Sequence, residues 1–215
     1  MTGRSRLSIL LRAVLIFPGC QTVYYETMEK FGVQKRKILV NRIEGARDDQ
    51  EATKEQFKSA LEEFSAVTQF DGGDLEAHYK RLNKKLERSE SRAKAVHKSI
   101  EDVEHVANAL FAEWEKERDQ YSSAELWRQS ADQLSDTKVR YANLLRAMRN
   151  AESKIEPVLV SLRDQVLFLK HNLNARAITS LQNQLVSIQS DVSLLIQEME
   201  KSINEANTFI DSLDG

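Results

Sequence analysis

Turn-forming residues are scarce in this chain. It carries 7 glycines and 2 prolines in 215 residues. No glycine falls between Gly73 and Gly215, and Pro157 is the only proline after Pro18. A β-rich domain needs turn residues every few positions, so that class is excluded. With so little punctuation the backbone can reverse only a few times. Cysteine is scarcer still: Cys20 stands alone, which excludes an internal disulfide and any paired-cysteine metal site. There is no excess of either charge, the formal net value being −2. A nucleic-acid binder would show a basic balance, so no nucleic-acid partner is expected. No apolar run approaches the roughly 20 residues of a spanning helix. No Gly-rich phosphate loop, Ser/His/Asp set or Cys/His set is present. The chain therefore reads as a non-enzyme, with no cofactor and no catalytic residues.

What the chain does contain is heptad spacing, apolar residues three and four apart that keep a seam on one side of a helix. The clearest run is Leu75, Tyr79, Leu82, Leu86, Ser89, Ala93, Val96, Ile100, Val103, Ala107, Leu110, Trp114, Glu117 and Tyr121. A third helix gives Trp127, Ala131, Leu134, Lys138, Tyr141, Leu145, Met148, Glu152, Ile155, Leu159, Leu162, Val166, Leu169 and Leu173. Its register passes through Pro157, which predicts a kink there rather than a stop. The fourth gives Ile178, Leu181, Leu185, Ile188, Val192, Leu195, Met199, Ser202, Ala206, Phe209 and Leu213, with Ile196, Ile203 and Ile210 widening the face. The first is weakest: Leu39, Ile43, Ala46, Gln50, Thr53, Phe57, Ala60, Phe64 and Val67. Asp71-Gly72-Gly73-Asp74, Ser122-Ser123 and Asn172-Leu173-Asn174 supply the turns, with Asp74 and Asn174 as N-caps. The expected fold is all-α: an elongated antiparallel bundle with coiled-coil packing. It has four long helices, or three plus a loosely docked one.

The start of the chain has a different character. Arg4 and Arg6 precede the apolar stretches Leu7–Leu11 and Ala13–Phe17, then Pro18-Gly19-Cys20. A positive start, a short apolar region and a small residue at the cut are the features of a secretory signal. The layout resembles a bacterial lipoprotein signal, whose cysteine is lipidated and becomes the first residue of the mature protein. Arg12, Phe17 and Pro18 depart from that pattern. Residues 1–19 are then the signal peptide, 20–32 an anchor and leader segment with a short helix over 24–31 ended near Gly32, and 33–215 a single bundle. Losing the three arginines of residues 1–19 takes the formal charge from −2 to −5. Gln21 after the cysteine resembles the sorting signal for the outer rather than the inner membrane.

Several residues are candidates for more than packing. Hinges near 72, 122 and 174 bring Thr53, Ser89 and Glu152 to one height, a candidate buried polar layer with Gln50 one turn away. Such a layer sets register. A buried Glu152 without a cation would have a raised pKa. His97, Glu101 and His105 share a helix face at a spacing that can present metal ligands. No further ligands converge there, so the stripe reads as solvated and no metal is expected. Asp71, Asp74, His78 and His171 fall at the end of the bundle far from Cys20. At the opposite end gather Tyr24, Tyr25, Phe111, Trp114, Tyr121 and Trp127, with Lys30, Lys35, Arg36 and Lys37. Tyr24, Tyr25, Trp114 and Trp127 are candidates for membrane-proximal contact or for plugging the bundle end.

Three stretches carry a wider resemblance: ILVNRIEGARDDQEATKEQFKSALEEF from Ile38 to Phe64, FDGGDLE, and LRDQVLFLKHNLNARAI. They resemble an uncharacterised bacterial family of helical lipoproteins, domain of unknown function 2959, over essentially the whole mature chain. The resemblance implies an exported, all-helical, envelope-associated protein and brings no known activity. The expected role is a lipid-anchored cell-envelope scaffold or interaction protein facing the periplasm. Its partners are the membrane, through Cys20, and proteins or further copies through helix faces. A module holding a lipid or other apolar molecule between helices, and a cytosolic coiled-coil protein, are the alternatives.

Overall fold

Turn chemistry sets the helix ends in the computed structural model, which describes residues 35–214. The first helix, α1 (Lys35–Thr68), stops before Gly72 and Gly73, whose φ angles of +144° and +112° suit a residue without a Cβ. Asp74 then caps α2 (Leu75–Arg118), its carboxylate accepting from the Ala77 N–H at 3.0 Å. Ser123 caps α3 (Ala124–Ser153), accepting from the Leu126 N–H. Asn174 Oδ1 accepts from Arg176 N–H at 3.0 Å and Ala177 N–H at 3.2 Å, starting α5 (Ala175–Asp214). Between α3 and α4 (Ile155–His171) a single residue, Lys154, leaves the helix. Pro157 explains its place. The ring has no N–H for the Ser153 carbonyl and crowds that same carbonyl, four residues back. The rod breaks there and continues, since α2 and α5 each pack on both α3 and α4.

Cross-helix contacts fix the topology. Arg81 reaches Glu63 at 3.0 Å, and Gln56 donates to the Lys85 carbonyl at 3.0 Å, so α2 runs back along α1. Trp114–Ser130, Arg149–Glu104 and Arg163–Glu90 fold the α3–α4 rod back along α2. Gln182 donates to the Thr68 carbonyl at 2.8 Å, and Arg47 to Asn207 at 3.1 Å, which returns α5 to α1 and closes the bundle. Four antiparallel rods result, of which α2, with 44 residues, spans about 66 Å. The described residues form no strand. No described helix is long and apolar enough to cross a membrane.

Along α1 every expected seam position is buried, Leu39 to Val67 inclusive, and Leu39, Ile43, Phe57 and Phe64 are fully enclosed. The first helix therefore buries its whole seam in the core, although its backbone approaches its neighbours less closely than the other helices approach one another. Each such side chain contributes roughly 1.5–3 kcal/mol by leaving water. Along α5 the seam is buried except for half-buried Leu185; Ile210 is buried, while Ile196 and Ile203 are half-buried. In α3 the inner row is Ser130, Thr137, Leu144 and Ala151. The expected positions Ala131, Lys138, Leu145 and Glu152 lie one residue later and are half-buried. In the last turns of α2, Val106 and Phe111 go inside, while Leu110 and Trp114 are half-buried. A straight helix drifts against a 3.5-residue seam by about 20° per heptad, so adjacent columns exchange places along a long rod.

Candidate functional site

Polar side chains collect near mid-height. Thr53 and Ser89 are both fully buried, and each hydroxyl donates to the carbonyl one turn back, Asp49 at 2.7 Å and Lys85 at 2.9 Å. That leaves neither unsatisfied. Gln56 spans the α1–α2 seam beside them, donating to the Lys85 carbonyl and, at 3.4 Å, to Ser89 Oγ. Gln50 and Ser202 differ. Both are fully buried, and neither the Gln50 amide nor the Ser202 hydroxyl has a hydrogen-bond partner among the described residues. They occupy inward rows of facing helices. The Arg47–Asn207 and Lys54–Glu200 contacts bracket them, so they stand within about a turn of one another.

Glu152 stands across the bundle, at the edge of the α2–α3 seam, with its side chain 20% exposed. It accepts from Arg149 Nη1 at 2.8 Å and faces His97 Nδ1 at 2.6 Å. Arg149 also forks onto Glu104 at 2.6 and 3.3 Å, and His97 Nε2 faces Glu101 at 3.3 Å. Partial burial works to raise the Glu152 pKa, but Arg149 and His97 outweigh it and hold the carboxyl below its ordinary range. The bond to Glu152, with the charge of Glu101, raises the imidazole of His97. With both ring nitrogens against carboxylates, the doubly protonated form is the one best satisfied. The chain Glu101–His97–Glu152–Arg149–Glu104 thus ties α2 to α3 just before the break. Beside it lies an open groove of about 290 Å³ lined by Ala93, Lys94, His97, Glu152, Ile155 and Glu156.

Other sequence candidates lie apart. His105 is exposed on the same helix as His97, and no cluster of three potential metal ligands occurs among the described residues. His78 is taken up by its own hairpin: Arg81 donates to its Nδ1 at 2.7 Å, Glu63 lies at 3.6 Å and Phe70 meets the ring edge-on. Asp71 is exposed beside the glycine turn, Asp74 caps α2, and His171 is exposed at the end of α4. At the other end Trp114 is half-buried and donates to Ser130 Oγ at 2.9 Å. Trp127 is 39% exposed beneath the Arg118 guanidinium, 5.0 Å from its ring centre. Residues 1–19, Cys20, Tyr24, Tyr25, Lys30 and the leader helix expected over 24–31 lie outside the described residues.

Sequence spacing did not single out Ser202 as an unsatisfied group, nor Arg149 as the hub of a network. Ser202 was visible as a polar residue in an apolar seam. Arg149 carried no signal, because its role depends on which helix faces it.

Comparison with known proteins matches residues 24–213 to a family described as "Protein of unknown function (DUF2959)". No curated protein matches the chain.

Proposed function

The chain belongs to that family, and from this premise we propose that it is a non-enzymatic, lipid-anchored scaffold or interaction protein of the bacterial cell envelope. The observation that carries the reading is the basic, apolar, Gly19-Cys20 start ahead of a rod-like bundle. A lipidated Cys20 would tether one end, and long helix faces would offer reach and partner surface on the periplasmic side. The mid-height charges support a structural rather than a chemical role. Glu152 and Arg149 hold each other in the charged state, and His97 is drawn to its cationic form by two carboxylates. Each of these groups is taken up by a neighbour in the bundle, so the network serves to tie α2 to α3.

The test is radiolabelled palmitate incorporation with membrane fractionation, comparing wild type with Cys20→Ala. Label and membrane pelleting that both vanish in the variant are expected. A soluble, unlabelled wild type retaining residues 1–19 would favour a cytosolic coiled-coil protein instead. A second reading rests on the groove beside the α3–α4 break, whose lining includes Ala93 and Ile155. It could seat part of an apolar ligand, and mass spectrometry of the purified protein would reveal a retained lipid.

A further inference from the structure

Among the described residues, the α2–α3 hairpin reaches past the ends of the helices packed on it. Arg36 donates to the Leu213 carbonyl, so the start of α1 and the end of α5 share one level. Carried along from Glu63–Arg81 and Gln56–Lys85, that level meets α2 at about residues 105–108. The helix runs on to Arg118, roughly ten residues or about 15 Å further. The Tyr141–Phe209 ring contact sets α5 against α3, and the first dozen or so residues of α3 likewise pass the end of α5. Among the described residues, then, the α2–α3 hairpin runs on past the ends of α1 and α5, with Phe111, Ser130 and Leu134 still buried along its inner side. Its apex exposes three large side chains within seven positions: Tyr121 at 48%, Leu126 at 49% and Trp127 at 39%. Behind them Trp114 is fastened to Ser130, and Arg118 lies over Trp127 while bonding Asp119 at 2.9 Å. The Arg118 guanidinium thus holds the Trp127 ring in place.

We propose that this tip rests on the lipid surface, with Trp127, Tyr121 and Leu126 at the headgroup level. The inference depends on the anchored reading above and adds to it which part of the protein meets the membrane. Lys35 is fifteen positions after Cys20, a contour of at most about 50 Å. The tip lies at the end of the bundle where α1 begins, the end to which the chain from Cys20 leads. Tryptophan and tyrosine are the side chains that settle at membrane interfaces, being apolar with one polar atom. The apex charges Lys116, Arg118 and Arg128 are balanced by Glu117, Asp119 and Glu125, and Glu113, Glu115, Asp132 and Asp136 behind them make the hairpin end acidic. The contact therefore needs no anionic lipid and resists salt, unlike a polybasic one.

The experiment reconstitutes the mature lipidated protein, beginning at Cys20, into phosphatidylcholine vesicles brominated near the headgroup end of the acyl chains, and reads tryptophan emission after flotation. Protein that floats should lose much of its emission relative to unbrominated vesicles. Trp127→Phe should remove most of that quenching, leaving the half-buried Trp114 bright, and added salt should change neither result. Protein that floats with Trp127 unquenched would overturn the proposal, since the tip then faces something else, such as a protein partner. Protein that fails to float, or a Cys20→Ala variant that floats as well as wild type, would instead refute the anchor.

Discussion

Between α1 and α5, Gln50 and Ser202 are sealed from solvent without a hydrogen-bond partner among the described residues. At about the same height, between α2 and α3, Glu152 and Arg149 keep part of their surface in water and are bonded on both sides. The residue types alone would suggest the reverse ranking, because a charge costs more to bury than an amide. Position decides the matter. Glu152 lies one residue off the buried row, where a long neighbour can reach it, while Gln50 points into the seam itself. A buried donor or acceptor left without a partner costs about 1–3 kcal/mol, whereas an edge ion pair returns roughly 0–1 kcal/mol. The smaller-looking polar group is the larger liability, and its cost is carried by the apolar seam around it.

The largest expected effect concerns that seam. Phe57, on the same row of α1 as Gln50, is fully buried, and Phe57→Ala should destabilise the bundle by about 3–5 kcal/mol in urea denaturation. A cost under about 1 kcal/mol would mean that α1 is only loosely docked and tolerates Gln50 for that reason. On the other side, Arg149→Met removes the cation shared by Glu104 and Glu152 and leaves Glu152 with His97. Because Arg149 and both carboxylates are partly solvated, the loss should be near 1 kcal/mol and should shrink with added salt. A salt-independent loss would show that Arg149 acts by packing.

The smallest effect is a pH dependence. The folded pKa of His97 lies above its ordinary value near 6.5, so its contribution is complete below that value and fades as pH rises through the folded pKa. The folded pKa of Glu152 lies below 4.5, so its contribution is complete above that value and fades as pH falls through the folded pKa. The α2–α3 tie should be strongest between those limits, at mildly acidic pH. Wild type should lose a little stability from there to pH 8 that His97→Gln does not lose. An imidazole titrating below 6.5 by NMR would rule the tie out.

How much of this was legible in the sequence follows from the same geometry. The α1 seam from Leu39 to Val67 could be read directly, since Phe and Ile at 3–4 spacing leave no rival column. So could the caps, since Asp74 and Asn174 sit where a turn sequence meets an apolar row. In α3 two columns competed. Ala131, Lys138, Leu145 and Glu152 looked as apolar as Ser130, Thr137, Leu144 and Ala151, and only the packing of α5 decides for the latter. Glu152 therefore looked like an interruption of the core when it sits at the edge of a seam. Its partners were invisible for a related reason. Arg149 and Glu104 are 45 residues apart, and heptads specify a face of each helix but not the height at which two helices meet.

The most direct measurement is the urea midpoint of Gln50→Leu against wild type. An unbonded amide in a sealed seam predicts a gain of about 1–3 kcal/mol, because an apolar side chain of similar size removes two orphaned polar atoms. A loss of stability on that substitution would contradict the account, showing that the Gln50 side is satisfied and that the contrast with Glu152 does not exist.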